Sequence, residues 1–294
     1  MTRFAPAPTG WLHLGHVANA IYVWGLARTS GGRVLLRIED HDTERCRPEY
    51  ERGLLEDLEW LGFEPDMFPT AAFRAGSCES RQSERGPLYQ SAAAGLIARG
   101  LVYACRCTRQ AIAGASPSPA GLEPRYAGTC RALGLALSGD VGWRVVMEPG
   151  IEHFEDRLQG PQSQDPAAEC GDVLIRDRLG NWTYQFAASV DDHVQGVDLV
   201  IRGVDLLAST GRQMRLARLL GRPQPAAFAH HPLIMKSVTQ KLSKSDHDTG
   251  VRDLREAGWT PEAVVGDAAW RVGLIERPAP IGARDVGRLF GARA

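Results

Sequence analysis

The sequence predicts an α/β fold built on a mainly parallel sheet, and three observations carry that reading. Strand-like runs alternate with helix-length segments along most of the chain. The opening is β-α-β-like, with a first strand around 3–5, a helix over about 15–28 and the strand-like run "RVLLRIED". No internal repeat interrupts the alternation. At 294 residues the chain can bury a core in one large domain or two modest ones.

Each element has a local reason. "RVLLRIED" (33–40) is rich in β-branched and aliphatic residues and ends in acids, as a short strand does. In "RPEYERGLLEDLEWLGF", Leu54, Leu55, Leu58 and Leu61 recur at helical spacing, and Gly62 is placed to stop the helix. Residues 64–86 are polar with no clean period and read as loop. "ASPSPAGLEP" (115–124) is a Pro/Ser/Gly linker inside a cysteine-bearing insert. "DVLIRD", "WTYQFA" and "DLVIRG" read as strands or strand edges, and "LLASTGRQMRLARLLG" as a helix ending at Gly221. Near the end, "TPEAVVGDAAWRVGLI" is a helix with Thr260 as cap and Pro261 in its first turn.

Composition narrows the class. Hydrophobic residues at 44% and charged residues at 23% are ordinary for a globular protein. A net charge of −1 gives no global electrostatic footprint for nucleic acid, so an RNA partner needs a local basic patch. No apolar run approaches the ~18 residues that span a membrane, and "MTRFAPAPTG" lacks a secretory signal's apolar stretch. The expectation is a cytoplasmic chain without membrane association. Six unevenly spread cysteines do not make a disulfide framework, which leaves metal binding or ordinary thiols.

The tetrapeptide "HLGH" (13–16) stands between a strand and a helix. Unpaired N–H groups and the helix dipole favour an anion there. A zinc site would want a third ligand nearby and a different spacing. Two satisfied histidines are the plain alternative, and the tetrapeptide alone does not choose. A second stretch, "KLSKS" (241–245), reads alone as a solvated basic loop.

Taken together, in this order and separation, "RFAPAPTGWLHLGH" and "KLSKSD" resemble the signature of the class I aminoacyl-tRNA synthetases. With "LLRIEDHDTER", the match narrows to the glutamyl-tRNA synthetase branch and runs from Arg3 to about residue 250. The resemblance implies a Rossmann-like parallel-sheet catalytic domain and activation of an amino acid by ATP with Mg²⁺. His13 and His16 are then donors to phosphate oxygens, and Gly15 lets adenosine approach the backbone. Lys244, helped by Lys241, is the holder of the leaving pyrophosphate. Such chemistry is largely positioning plus charge stabilisation.

The same resemblance supplies an L-glutamate pocket. Glu39 matches the contact to the α-amino group, and Arg3 the arginine facing the substrate carboxylate, to which its planar fork is suited. Tyr184 and Arg202 match the remaining contacts, with backbone groups of Phe4, Ala5, Pro6 and Ala7 alongside. Read singly, Glu39 is a strand-end acid, Tyr184 a half-buried aromatic and Arg202 a surface charge. Ala7 stands where the larger synthetases usually carry serine, and Ala188 where they often carry asparagine. Each departure removes one polar contact from the pocket.

Cys105-x-Cys107 with Cys130 reads on spacing either as three zinc ligands or as incidental thiols in a loop-rich insert. By the resemblance, Cys-x-Cys and Tyr-x-x-x-Cys supply four ligands, which adds Tyr126 and implies one structural Zn²⁺. Cys46, Cys78 and Cys170 have no partners at ligand spacing.

The expected organisation is 1–100 for the first half of the catalytic domain and 101–170 for the zinc-bearing insert. The second half with the KLSKS loop covers 171–250, and a short helical C-terminal region 251–294. About 50 residues after "KLSKSD" fall short of an anticodon-binding domain, so none is expected. That pattern resembles the glutamyl-queuosine tRNA(Asp) synthetase family, the shortened paralogues. The family activates glutamate without tRNA and esterifies it onto queuosine at the wobble position, so the implied partner is a tRNA(Asp) anticodon loop. The arginines of "TERCRPEYER" and "GRQMRLARLLGR" are candidate backbone contacts or solvated faces. A monomer is expected. The alternatives are a truncated glutamyl-tRNA synthetase charging a tRNA 3′ end and a non-catalytic RNA- or nucleotide-binding paralogue.

Overall fold

The computed structural model describes residues 1–116, 123–235 and 250–291. The chain begins β1 (Thr2–Phe4), α1 (Leu14–Thr29), β2 (Val34–Leu36), α2 (Pro48–Leu61), α3 (Thr70–Arg74) and α4 (Gly86–Ala98). There follow β3 (Val102–Cys105), α5 (Arg109–Ala115), β4 (Gly142–Val145), β5 (Glu152–Asp156), β6 (Gly160–Gln164), α6 (Pro166–Glu169) and β7 (Val173–Arg176). Last come α7 (Tyr184–Val194), β8 (Leu199–Gly203), α8 (Thr210–Leu219), β9 (Ala227–His231), α9 (Val251–Glu256) and α10 (Pro261–Arg271). They divide into two compact units, 1–84 with 197–206 and 228–294, and 85–196 with 207–227.

In the first unit β1 and β2 pair in parallel, Thr2 opposite Val34 and Phe4 opposite Leu36. Both strands are buried throughout, as a covered parallel sheet requires. β8 and β9 are neighbours in a sheet. The Met1 carbonyl accepts the N–H groups of Asp198 and Leu199, which ties the chain's start to the approach to β8. α1 packs apolar residues on nearly every side, among them Ile21, Val23 and Trp24, so it is a core helix rather than a surface one. α2 ends as its spacing predicts: Gly62 takes a left-handed conformation (φ 82°) that glycine adopts without a Cβ clash.

The second unit carries an antiparallel sheet, β3-β4-β7, and the antiparallel hairpin β5–β6. Its core gathers Tyr89, Leu96, Trp143, Val145, Ile175, Phe186 and Leu216. The parallel arrangement expected from the sequence is thus found in the pairing of β1 with β2, while the β3-β4-β7 sheet and the β5–β6 hairpin run antiparallel.

Three local readings change. The 64–86 stretch contains α3 and a 3₁₀ turn over Gln82–Arg85, and Phe73 of α3 is buried. "WTYQFA" is not a strand, because α7 starts inside it at Tyr184, with Thr183 at the N-cap position. Phe186, Ala187 and Val190 are buried at helical spacing, a face that the first aromatic residues conceal. The helix expected from residue 206 begins at Thr210, after a 3₁₀ segment over Val204–Ser209. α4 is an element beyond those the sequence pattern singles out, and part of the 115–124 linker lies outside the described residues.

Candidate active site and metal centre

His13 caps α1, and the two histidines lock each other. The Gly15 N–H donates to His13 Nδ1 at 3.0 Å, and the His13 N–H donates to His16 Nδ1 at 3.2 Å. This is a capping box made of imidazoles, with ring centroids 4.1 Å apart. Because each Nδ1 accepts, each neutral ring carries its hydrogen on Nε2. Two N–H donors are therefore set at the positive end of a helix of 16 residues. Gly15 has a steric reason too: a Cβ there would stand 2.8 Å from His13 Cε1.

Neighbouring segments frame this corner. His13 forms an isolated bridge with Gly250, and the Val251 N–H donates to the Leu12 carbonyl at 2.9 Å. On α1, the Asn19 side-chain amide lies 3.0 Å from His231 Nε2, and Tyr22 stacks on that imidazole with centroids 4.8 Å apart. Lys241 and Lys244 lie outside the described residues, between these anchors in sequence.

The residues assigned to glutamate divide between the units. In the first, Arg3 of β1 is buried and donates from Nη1 to the Ile201 carbonyl at 3.1 Å, next to Arg202 of β8. Phe4 is core, edge-on to Trp24. Beyond it Ala5, Pro6 and Ala7 run beside the segment after β2: the Arg37 N–H donates to the Phe4 carbonyl and the Glu39 N–H to that of Pro6. Glu39 is buried, its carboxylate 3.5 Å from the fully buried Arg37. Arg202 is buried as well and donates from Nε to His230 Nε2 at 2.9 Å. Neither it nor Glu39 is the exposed charge that a single-residue reading would give. Arg3, Glu39 and Arg202 are thus brought onto adjoining segments. Tyr184 belongs to the second unit, where it is the half-buried first residue of α7, and Ala188 is buried one turn on.

The cysteine cluster lies wholly in the second unit. The sulfurs of Cys105, Cys107 and Cys130 are all within 4.8 Å of one another. Cys107 and Cys130 Sγ are 3.6 Å apart, and the Tyr126 phenol oxygen is 3.4 Å from Cys105 Sγ. Zinc–sulfur bonds of about 2.3 Å set sulfur–sulfur edges of about 3.8 Å in a tetrahedron, so this donor set fits the ion. Tyr126 is held by its backbone, donating to the Cys170 carbonyl at 2.9 Å and bridging to Gly171. Gly171 has φ 69°, and a Cβ there would lie 1.9 Å from the Tyr126 carbonyl oxygen, so only glycine fits. Burial pushes the Tyr126 phenol well above its ordinary range, with the Cys105 hydrogen bond adding, and the Cys107 thiol up to about 11.

The sequence reading missed the surroundings of this cluster. Asp172 accepts from Tyr103 Oη at 2.5 Å, from the Met147 N–H at 2.8 Å and from Arg131 Nε at 2.9 Å. Tyr103 and Arg131 are sequence neighbours of Cys105 and Cys130, but Asp172 and Met147 are distant, and only strand pairing brings them there. His230 beside Arg202 was also missed; its one signal was the histidine pair in "FAHHPLI".

The fold and the α1 corner together define the catalytic domain of a class I aminoacyl-tRNA synthetase, a ligase. Residues 1–276 match the model of "tRNA synthetases class I (E and Q), catalytic domain". The chain is 41% identical over 290 residues to the glutamyl-Q tRNA(Asp) synthetase of Symbiobacterium thermophilum, covering 95% of this chain and 88% of that protein. It is 45% identical over 252 residues to the protein of the same name from Bordetella bronchiseptica, with coverages of 83% and 74%. The chain belongs to the glutamyl-Q tRNA(Asp) synthetase family within that class. Among solved structures, the glutamate tRNA ligase of Elizabethkingia meningosepticum matches with a TM-score of 0.77 at 27% identity. That match covers 98% of this chain, which spans only 64% of that ligase. Among the described residues no helix is long and apolar enough to cross a membrane.

Proposed function

We propose that the chain activates L-glutamate with ATP, without tRNA, and transfers the glutamyl group to queuosine at the wobble position of tRNA(Asp). In the first step a glutamate α-carboxylate oxygen attacks the α-phosphorus, and the bond to the departing pyrophosphate breaks. In the second a hydroxyl of the queuosine cyclopentenediol attacks the glutamyl carbonyl, loses its proton, and AMP leaves. The observation that carries this reading is the pair of Nε2 donors at the α1 N-terminus. His13 and His16 donate there to phosphate oxygens as negative charge develops, an interaction worth about 3–4 kcal/mol per donor. Gly15 keeps the backbone open to adenosine.

Lys244, assisted by Lys241, takes the pyrophosphate charge, with Mg²⁺ bound mainly through phosphates and water. Lys244 stands six positions before Gly250, a reach of at most roughly 20 Å, and Gly250 is bridged to His13. Glu39 receives the α-ammonium group. Arg3 and Arg202 meet the carboxylates, Tyr184 completes the contacts, and the backbone of Phe4 to Ala7 lines the pocket.

Cys105, Cys107, Tyr126 and Cys130 hold one structural Zn²⁺, which when bound cross-links the loop-rich insert. The chain's own contribution there is to set three sulfurs and a phenol at tetrahedral spacing.

ATP–pyrophosphate exchange dependent on glutamate and independent of tRNA tests the first step. Nucleoside mass spectrometry of tRNA(Asp) from a deletion strain tests the second: glutamyl-queuosine disappears if the proposal holds, and an unchanged nucleoside overturns it. The likeness to a glutamate tRNA ligase favours one other acceptor, a tRNA 3′ end. Aminoacylation that survives periodate treatment of the 3′ diol, with queuosine protected, excludes that acceptor.

A further inference from the structure

We infer that Arg144 is the positioning and charge-balancing partner of the Cys105–Cys107–Tyr126–Cys130 cage. The inference rests on the zinc reading above. Arg144 lies in β4 opposite Tyr103 of β3 and is only 7% exposed. Its guanidinium is a planar cation with N–H donors and no acceptor. Among the described residues no carboxylate side chain lies within ion-pair distance of it, and the nearby Asp172 carboxylate is taken by Tyr103, Arg131 and the Met147 N–H. Asp172 offers Arg144 only its backbone carbonyl, at 2.7 Å from Nη1.

The two other contacts of the guanidinium go to the cage. Nε donates to Cys105 Sγ at 3.3 Å, and the guanidinium carbon lies 3.8 Å from the centroid of the Tyr126 ring. Two different ligands are thus touched by one rigid, planar group anchored at its third corner. A buried cation needs compensating charge, and a cation over a phenol face is only partly compensated. A divalent ion held by three thiolates carries one net negative charge, and more if the phenol ionises. The loaded cage is therefore the counter-ion that the buried guanidinium otherwise lacks. Partners of this kind orient metal ligands, and their loss typically weakens metal binding about 10–100-fold.

The test uses the full chain with Arg144→Lys and Arg144→Met. Zinc content, zinc affinity by competition with a chromophoric chelator, and the thiolate-to-cobalt charge-transfer band of the Co²⁺-substituted protein are measured. Melting of the metal-free proteins controls for folding. Arg144→Met is expected to lose about a hundredfold in zinc affinity and Arg144→Lys, which keeps charge but not the fork, about tenfold. Both shift the cobalt band. If Arg144→Met does not fold, Arg144→Lys decides. A native chain that takes up no zinc overturns the zinc reading itself. A native chain that binds zinc, with a folded variant matching its affinity and cobalt band, overturns the role of Arg144 alone.

Discussion

His16 Nδ1 accepts the His13 backbone N–H and His13 Nδ1 accepts the Gly15 N–H, so both Nδ1 atoms are taken and each neutral ring carries its hydrogen on Nε2. The same contacts cap α1, so the proposed phosphate role and the capping role fall on one side chain, His13. Ordinary alanine substitution would not separate them.

His13→Asn does separate them. Asparagine is among the best N-cap residues, so the melting temperature should change little. The Nε2 donor is lost, and glutamate-dependent ATP–pyrophosphate exchange should fall roughly a hundredfold. Exchange at the native rate would assign His13 to capping only.

Lys244→Ala should lower the same exchange rate by at least about tenfold, because one charged contact to the leaving pyrophosphate is removed. Undiminished exchange would refute that role. A change confined to the KM for glutamate would move Lys244 from the phosphate side of the reaction to the amino-acid side.

Asp57 of α2 predicts a pH dependence of stability. Burial pushes its carboxyl from 3.8 up to about 7, partly offset by Arg255, and one of its oxygens has no hydrogen-bond partner. The folded chain therefore holds this proton more tightly than the unfolded chain. Stability should fall as pH rises from 3.8 to about 7 and level off above, with each pH unit of that interval costing about 1.4 kcal/mol. Asp57→Asn should remove this component and be more stable than the native chain at pH 8, as read by urea midpoints. A native-like pH profile in the variant would assign the dependence elsewhere.

Gly171→Ala should damage the cysteine cage from outside it. The new Cβ would meet the Tyr126 carbonyl oxygen at 1.9 Å, and the left-handed backbone itself costs a non-glycine residue about 1–2 kcal/mol. A lower denaturation midpoint and weaker zinc retention are expected together. A variant with native stability would mean that the Tyr126 backbone moves without penalty.

Short-range chemistry was already written in the chain. The α1 start at "HLGH", the Gly62 stop and the Thr260 cap depend on residues within one turn of each other, and the structure has them where the pattern predicts. Cys105, Cys107 and Cys130 could likewise be singled out by spacing. "WTYQFA" reads as a strand because its aromatics fall at every second position, which would place all three on one strand face. What distinguishes a helix from a strand here is the burial of Phe186, Ala187 and Val190 on one face, set by packing against other elements.

Tertiary structure alone supplied the rest. Gly250 meets His13 across more than two hundred residues, and Arg202 was found buried against His230 rather than solvated. Arg144 and Asp172 surround the cysteines only because β4 pairs with both β3 and β7. The physical reason is one of range. Capping, turn conformation and ligand spacing are fixed by covalent neighbours, whereas burial, ion pairing and hydrogen bonding to distant groups exist only once the sheet brings those groups together.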